Sequence, residues 1–586
     1  MTDQLVIALT FVIVIALTTA VAPRLGIAGP LALVAIGAGV SLLPFMHIDP
    51  IDPEIILVGV LPPLLYSAAV SLPAIEFRRD FRPIAGLSVL LVLVSALALG
   101  LFFFWAIPDL GLALSIGLGA ILSPTDAVAT TIAKRLGISP RVITIVEGES
   151  LLNDATALVL LRTAVAAFAA GAVSWGAAVG SFAWGVFLAL IIGGLVGYLN
   201  LLVRERVSHS AANTAISFVV PFIAYLPTEH LGGSGLVAAV VAGIVTGQGA
   251  ARRFTPEQRL SDELNWRTIE LMLEGAVFLL MGLELKEIVA ANISAERGLG
   301  HGLALAGIAF LILIAVRGLY VTVLIALQSR SSRRAEAQGR ERLDHFAERV
   351  EHAATRSADE PVSALGRRLP SDPERREKMV GIARRRISRA IADLDYYRAS
   401  PLGWRHGSII VWSGMRGVVT LAAAQTLPAD APHRHLLVLI AFLVAAGSLL
   451  LQGTTLPRVA RMLKLTSEAP AGPSAAEERA IDDELRAAAS RELVADTAAI
   501  VRRDGSRFPE GLVERVGARF TTPPDDDTST LGRDLIELRL AMIGIMRRRL
   551  LELSSEGTYS TVALRHALAE LDADEISIQL RLGDRA

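Results

Sequence analysis

The sequence predicts an all-α membrane protein with about 13 transmembrane helices. Of its 586 residues, 53% are hydrophobic and only 19% are charged, whereas about 25% of the residues of an average soluble domain are charged. The apolar residues fall in blocks of roughly 18 to 30 residues that are almost free of charge, as in membrane-spanning helices. The net charge of −1 gives no general attraction to nucleic acid, so no nucleic-acid partner is expected.

The apolar blocks define the predicted spans, and the loops between them predict the orientation. The spans cover roughly residues 4–22, 28–45, 54–72, 84–107, 110–133, 141–169, 175–203, 211–227, 233–249, 266–285, 300–327, 407–427 and 434–454. Basic residues favour the cytoplasmic side of a membrane, and they concentrate in alternate loops, beginning with Arg24. We therefore expect a multi-pass protein of a bacterial inner membrane, with its N-terminus outside and its C-terminus in the cytoplasm.

Two polar segments interrupt or follow the apolar blocks. The predicted organisation is helices 1–11 in residues 1–328, a polar, Arg-rich insertion in 329–405, helices 12 and 13 in 406–460, and a charged helical tail in 465–586. The insertion and the tail are predicted to be solvated cytoplasmic helices, and a regulatory or partner-binding role is the alternative. The chain has no cysteine, which excludes disulfides, thiolate metal sites and cysteine nucleophiles.

Predicted span 5 contains the segment LSPTDAVATT. Pro124 removes a backbone donor and disfavours helical geometry at Ser123, and the polar Thr125 and Asp126 lie at the same depth. Irregular backbone is tolerated inside a membrane only where it is buried in protein or lines a watery cavity. Because transporters use broken helices to coordinate ions, this segment is a candidate ion site.

Predicted span 6 contains the segment VEGESLLNDATALVL. If the helix begins at Pro140, Asp154 lies about 20 Å along it, near the centre of the bilayer. Ser150 and Asp154 are four residues apart and share one face of the helix, whereas Glu149 and Asn153 share a different face. One face therefore offers oxygen ligands beside an acid, and the other presents a second acid that needs its own partner.

Predicted span 12 contains the segment SGMRGVVTLAAA, in which Arg416 lies between Gly414 and Gly417. An arginine at this depth must be paired, and the predicted partner is Glu149, in a structural ion pair. Three further charged residues of the late spans, Glu270, Glu274 and Arg317, are predicted to form packing pairs.

A carboxylate in a half-dry site suits proton-coupled exchange. Burial disfavours the charged form, so that a proton and a hard cation compete for the same oxygens. If only one of them occupies the site, and only the occupied carrier reorients, strict exchange follows without ATP. The sequence has no Walker A pattern, GxxxxGK[ST], that would indicate a nucleotide-driven pump.

The segments SPTDAVA, EGESLLNDA and GMRGVVTLAAA, together with PPLLYSAA and FLLMGLEL, occur in this order within residues 5–460. They resemble the signature segments of the monovalent cation:proton antiporters, in particular the electroneutral sodium/proton exchanger branch. The resemblance implies two inverted-topology repeats with two broken helices that cross near the centre. It also implies a homodimer that works by an elevator-like movement.

The resemblance also implies roles for individual residues. Asp154 would carry the cation and the proton in turn, and Asn153 marks the electroneutral branch. The backbone of Thr125 and the side chain of Ser150 would complete the Na⁺ shell around Asp154. Asp126 would act in the hydrogen-bond network of the site or at the crossing of the broken helices. Some relatives have an acid in span 3, where this chain reads YSA at residues 66–68, so no third carboxylate is expected there.

These residues are compatible with several functions. A sodium/proton antiporter comes first, and a potassium/proton antiporter of the same mechanism second. An intramembrane aspartyl protease could use Asp126 and Asp154 as a dyad, but the GxGD-type sequence of such enzymes is missing. A receptor-like sensor on a transporter scaffold is the remaining alternative. For an antiporter we expect no enzymatic activity and no cofactor, only the transported Na⁺ or K⁺ and H⁺.

Overall fold

A computed structural model describes residues 2–25, 28–43, 53–170, 175–294, 299–355, 363–364, 367–368, 373–466, 475–495, 502, 505–508 and 530–583. The chain divides into two compact units. The first comprises Met1–Phe254, Gln258–Gln328 and Leu402–Ala471, and the second comprises Thr255–Glu257, Ser329–Pro401 and Gly472–Ala586.

Helices account for nearly all of the regular structure. The helices before residue 140 are α1 (Thr2–Val21), α2 (Gly29–Ser41), α3 (Leu61–Ser71), α4 (Ala74–Arg79), α5 (Phe81–Ala85), α6 (Val92–Ala106), α7 (Gly111–Leu122) and α8 (Val128–Arg135). Short turns of other helix types cover Ala22–Leu25, Ile55–Val60 and Gly86–Leu91. The next helices are α9 (Pro140–Ala170), α10 (Trp175–Glu205), α11 (Ser210–His230), α12 (Gly235–Arg253), α13 (Pro256–Leu283), α14 (Leu285–Ser294) and α15 (Leu299–Thr355). The last are α16 (Pro373–Ala399), α17 (Trp404–Trp412), α18 (Val418–Gln425), α19 (Arg434–Met462), α20 (Ala475–Ala495), α21 (Thr530–Glu556) and α22 (Thr561–Gly583).

The helices of the first unit include those that can cross a membrane. Within the described residues, seven are long and apolar enough to do so: Phe81–Ala106, Pro140–Ala170, Val179–Glu205, Ser210–His230, Gly235–Arg253, Leu299–Ser329 and Arg434–Met462. Four shorter apolar helices accompany them: Leu9–Val21, Gly29–Ser41, Ile55–Ser71 and Gly111–Leu122. The all-α membrane class is confirmed, whereas the count of 13 spans stays a prediction.

Two of the predicted spans are broken in the middle. Span 5 consists of α7 and α8, which are separated by residues 123–127, and span 12 consists of α17 and α18, which are separated by residues 413–417. Pro124 explains the first break. The two breaks touch, because the amide of Asp126 donates a hydrogen bond to the carbonyl oxygen of Met415 at 2.7 Å. The broken helices therefore cross at this point, as the resemblance implied.

Close packing holds the broken helices in place. The long helix α9 passes beside them, and most of its residues between Arg141 and Leu158 are buried. At Gly119, in α7, an added Cβ atom would overlap the backbone carbonyl of Ala96, in α6. Glycine is required there because the two helix backbones approach too closely for a side chain.

The second unit contains α16 and a group of three helices, α20 to α22. Its core includes Ile481, Leu485, Leu538, Met542, Leu550 and Leu571, all buried. Arg549, in α21, joins the group by an ion pair of 2.7 Å with Glu484, in α20. Ser363–Ala364 and Arg367–Arg368 form a two-residue antiparallel pair of strands, β1 and β2.

Candidate functional site

A cavity of about 240 Å³ lies at the first helix break in the first unit. Its wall is built by α3, α8, α9, α13, α18 and the broken segment before α8. The polar and charged residues that line it are Ser71, Thr125, Asp126, Thr130, Thr131, Lys134, Glu147, Ser150, Asp154, Glu270, Glu274 and Thr420. Five of these side chains are acids and only one is basic, so the cavity attracts cations.

Asp154 and Ser150 reach this cavity from the same face of α9. Asp154 is 7% exposed. Among the described residues, no side chain or backbone amide donates a hydrogen bond to the Asp154 carboxylate, and none forms an ion pair with it. The carboxylate oxygens are therefore free for a proton or a cation, as the residue's predicted role requires.

Asp126 lies at the crossing of the two breaks and lines the same cavity. Its Oδ1 accepts a hydrogen bond from the amide of Val128 at 3.1 Å and so caps the start of α8. An added Cβ atom at Gly417 would overlap Asp126 Oδ2. Because the φ of Gly417 is −117°, which any residue can adopt, the carboxylate rather than the backbone conformation excludes a side chain there. Asp126 thus helps to hold the crossing together.

Glu149 does not pair with Arg416, so the predicted ion pair between them is wrong. Its partner is Arg317, in α15, which holds the carboxylate at both ends: Nη2 donates to Oε2 at 2.8 Å, and Nη1 donates to Oε1. The two side chains are 1% and 2% exposed. A bidentate pair of this kind gives both charges a partner in a dry interior. The prediction that Arg317 forms a packing pair with the span-10 acids is wrong for the same reason.

Arg416 instead satisfies backbone carbonyl groups at the two breaks. Its Nε donates to the carbonyl oxygen of Leu122 at 3.2 Å, its Nη1 donates to that of Gly414, and its amide donates to Ser448 Oγ at 2.9 Å. Leu122 ends α7, and Gly414 follows the end of α17. A helix C-terminus leaves unpaired carbonyl groups and a partial negative charge. The arginine therefore needs no carboxylate, because two broken helix ends supply its acceptors.

Asn153 and Thr125 connect the buried face of α9 to the first break. Asn153 Nδ2 donates to Thr125 Oγ1 at 2.7 Å, and Thr125 Oγ1 donates to Glu149 Oε1 at 3.2 Å. Asn153 Nδ2 also lies 3.5 Å from the Thr125 carbonyl oxygen. The network runs from Asn153 through Thr125 and Glu149 to Arg317, and it fixes the backbone beside Asp154.

Glu270, Glu274 and Thr420 line the cavity but were not predicted to belong to the site. The two glutamates, which were predicted to form packing pairs, lie on α13, and Thr420 lies in the first turn of α18. A spacing of four residues puts the two glutamates on one face of a helix. That spacing, in a helix that carries charge at membrane depth, is the signal that could have found them. Lys134 forms an ion pair with Glu147 in the same cavity, so its charge is already balanced.

Comparison with known proteins identifies this arrangement. The model of the family "Sodium/hydrogen exchanger, transmembrane" matches residues 10–337 and 382–462. The chain is 36% identical over 275 residues to the uncharacterized Na(+)/H(+) exchanger YjcE of Escherichia coli, a match that covers 45% of this chain and 50% of that protein. It is 27% identical to the uncharacterized Na(+)/H(+) exchanger Rv2287 of Mycobacterium tuberculosis, over 98% of this chain and 96% of that one.

A solved structure shares the fold. The sodium proton antiporter MjNhaP1 of Methanocaldococcus jannaschii, determined at pH 8, aligns with a TM-score of 0.55 at 16% identity. The alignment covers 78% of this chain and 99% of that one. The family that the model describes is a family of membrane transporters. The chain belongs to the sodium/hydrogen exchanger family.

Proposed function

We propose that this member of the sodium/hydrogen exchanger family exchanges a monovalent cation, Na⁺ in the first place, for H⁺, and that Asp154 carries both ions in turn. The observation that carries the proposal is the Asp154 carboxylate, which lies at a cavity rich in acids and has no donor among the described residues. A buried carboxylate is costly when it is charged and unpaired. It is stabilised by a proton or by a cation, and the two compete.

The cation shell would use oxygen atoms that are close to Asp154 in the cavity wall. Ser150 Oγ lies one helical turn earlier on the same face of α9, and Thr125 belongs to the broken segment, where carbonyl groups are released from helical hydrogen bonding. Asp126 adds a second negative charge to the cavity and opposes an empty, charged Asp154. The carrier is thereby biased toward its two occupied forms.

The exchange would be electroneutral. Asn153, which precedes Asp154, is neutral, and its amide is engaged with Thr125. Glu149 is neutralised by Arg317. Asp154 is then the acid of α9 that changes occupant, and it exchanges one H⁺ for one monovalent cation with no net movement of charge.

Sodium is the first choice of cation and potassium the second. The names of YjcE and Rv2287 refer to Na⁺, whereas a relative in Bacillus subtilis, 29% identical over 44% of this chain, is a sodium, potassium, lithium and rubidium/H(+) antiporter. We place the protein in a bacterial inner membrane, as a homodimer with its N-terminus outside and its C-terminus in the cytoplasm. The insertion and the tail would then lie in the cytoplasm.

The test is exchange by the purified chain in proteoliposomes that are acidified inside and contain a pH-sensitive dye. Adding Na⁺ outside should drive proton efflux, and an imposed membrane potential should leave the rate unchanged. Running Na⁺, K⁺ and Li⁺ separately measures the ion preference. Asp154→Asn should reduce the exchange to the background of empty vesicles.

The matched control is Asp109→Asn, the same chemical change at an exposed loop position. Asp109 has a φ of 73°, which asparagine also adopts readily, so this variant should exchange at the wild-type rate. Coupled exchange that persists in Asp154→Asn would overturn the assignment of the carrier.

A further inference from the structure

The helix α13 places two acids on the cavity wall that the proposed Asp154 mechanism does not use. Glu270 and Glu274 are four residues apart, so they project from one face of α13, and both line the cavity. Such acids at membrane depth are expensive and mark ion pathways. They are, however, not equivalent in their surroundings.

Glu270 has partners, whereas Glu274 has none in the described part of the chain. Ser67, in α3, makes a side-chain hydrogen bond with Glu270, and Lys134 lies close enough to act on its charge. The charged neighbours of Glu274 are Asp126 and Glu270, both acids. Glu274 is also exposed within the cavity. A carboxylate that faces only like charges favours the binding of an external cation.

A second observation concerns Thr420, in α18. The residue lines the same cavity and is 1% exposed, and its Oγ1 has no hydrogen-bond partner among the described residues. Buried hydroxyl groups are nearly always paired. An unpaired one at a cavity wall is an available oxygen for a cation or for a water molecule that the cation retains.

The acids of the cavity come from different parts of the chain: Asp126 from the first break, Asp154 from α9 and Glu274 from α13. Within the described residues, no three acidic or histidine side chains lie close enough together to hold one metal ion. Glu274 reaches the cavity from α13 and Asp154 reaches it from α9, so the cavity offers a cation acids on two separate helices.

We propose that Glu274, with the hydroxyl of Thr420, forms a second binding position for the monovalent cation, which the ion occupies before it reaches Asp154. This inference rests on the proposed exchange at Asp154. The position raises the local cation concentration beside the carrier and so lowers the external concentration that half-saturates transport.

The first test is the half-saturating Na⁺ concentration of exchange in proteoliposomes. Glu274→Gln should raise it about tenfold, which corresponds to the loss of one modest charge interaction. Glu263→Gln is the matched control, because Glu263 is exposed, lies on the same helix and does not line the cavity; this variant should keep the wild-type value. Thr420→Val, which is nearly isosteric, should raise it about threefold, and Thr420→Ser should restore it.

The second test is equilibrium binding of Na⁺ to the purified protein by calorimetry. Asp154→Asn should retain weak binding, and adding Glu274→Gln should remove it. If the wild type exchanges, Asp154→Asn does not, and Glu274→Gln matches Glu263→Gln, the second position is refuted while the carrier assignment stands. If the wild type fails to exchange any of the alkali cations, the proposed function itself fails. A poorly folded Glu274→Gln would be recognised by its melting curve, and Thr420→Val would then decide.

Discussion

Glu149 and Asp154 are five residues apart and lie on two different faces of α9, and their surroundings are opposite in kind. Glu149 is held by both ends of the Arg317 guanidinium and accepts a further hydrogen bond from Thr125. Asp154 faces the cavity and receives no hydrogen bond from any described residue. The two carboxylates have the same chemistry and lie on the same helix. Their different roles therefore follow from the different groups that surround them.

This difference shows how a membrane protein can divide stability from transport within one helix. A paired acid cannot release its partner without leaving a buried charge, so it fixes structure. An unpaired acid is stable only when it holds a proton or a cation, so it is suited to exchange them. Glu149 therefore serves the fold, and Asp154 serves the proposed exchange.

The largest expected effect is on stability and comes from Glu149→Gln. This change leaves the Arg317 charge buried without a counter-charge, which costs about 3–5 kcal/mol. The purified protein in detergent should unfold at a markedly lower temperature than the wild type. Replacing both residues, as in Glu149→Gln with Arg317→Gln, should recover much of the loss, because no unpaired charge then remains.

The contrast is completed by Asp154→Asn. This variant removes an unpaired charge from a mostly buried position, so its melting temperature should equal or exceed that of the wild type. If Asp154→Asn destabilised the protein as much as Glu149→Gln, both acids would be structural, and the division between the two faces would be wrong.

The next largest effect is expected from a change beside Asp126, on the cavity side of the site. Gly417→Ala would place a Cβ atom on Asp126 Oδ2 and force the crossing of the broken helices apart, at a cost of about 2–3 kcal/mol. Exchange in proteoliposomes should fall about tenfold, because the backbone beside Asp154 shifts. The control is Gly447→Ala, in α19, where an added Cβ meets nothing within 4 Å. Equal exchange by the two variants would show that Asp126 does not need its observed position.

The sequence was sufficient to predict the two helix breaks, but it was not sufficient to predict the ion-pair partner of Glu149. Broken helices are predicted by local backbone chemistry, from Pro124 and from the glycines around Arg416. The four-residue spacing from Ser150 to Asp154 predicts that both side chains lie on one face of α9. The partner of Glu149 depends instead on which helix lies against α9. Arg317 and Arg416 are each single arginines in apolar spans, so composition does not distinguish them. Arg416 was predicted as the partner of Glu149 because its actual hydrogen-bond acceptors cannot be read from the sequence. These acceptors are backbone carbonyl groups that become available only where the two helix breaks form and meet.

The smallest expected effect tests the buried face through Thr125. Thr125→Val keeps the shape of the side chain but removes the donor to Glu149 and the acceptor for Asn153, which should cost about 1–2 kcal/mol. The loss should appear as a modest decrease in melting temperature. Thr125→Ser keeps the hydroxyl and should lose much less stability.

The same variant also tests the ion site. Because the carbonyl of Thr125, rather than its hydroxyl, is the proposed cation ligand, Thr125→Val should retain exchange with an altered half-saturating Na⁺ concentration. If Thr125→Val folded but lost exchange completely, Thr125 Oγ1 would belong to the ion site and not only to the structural network. The two faces of α9 would then not have separate roles.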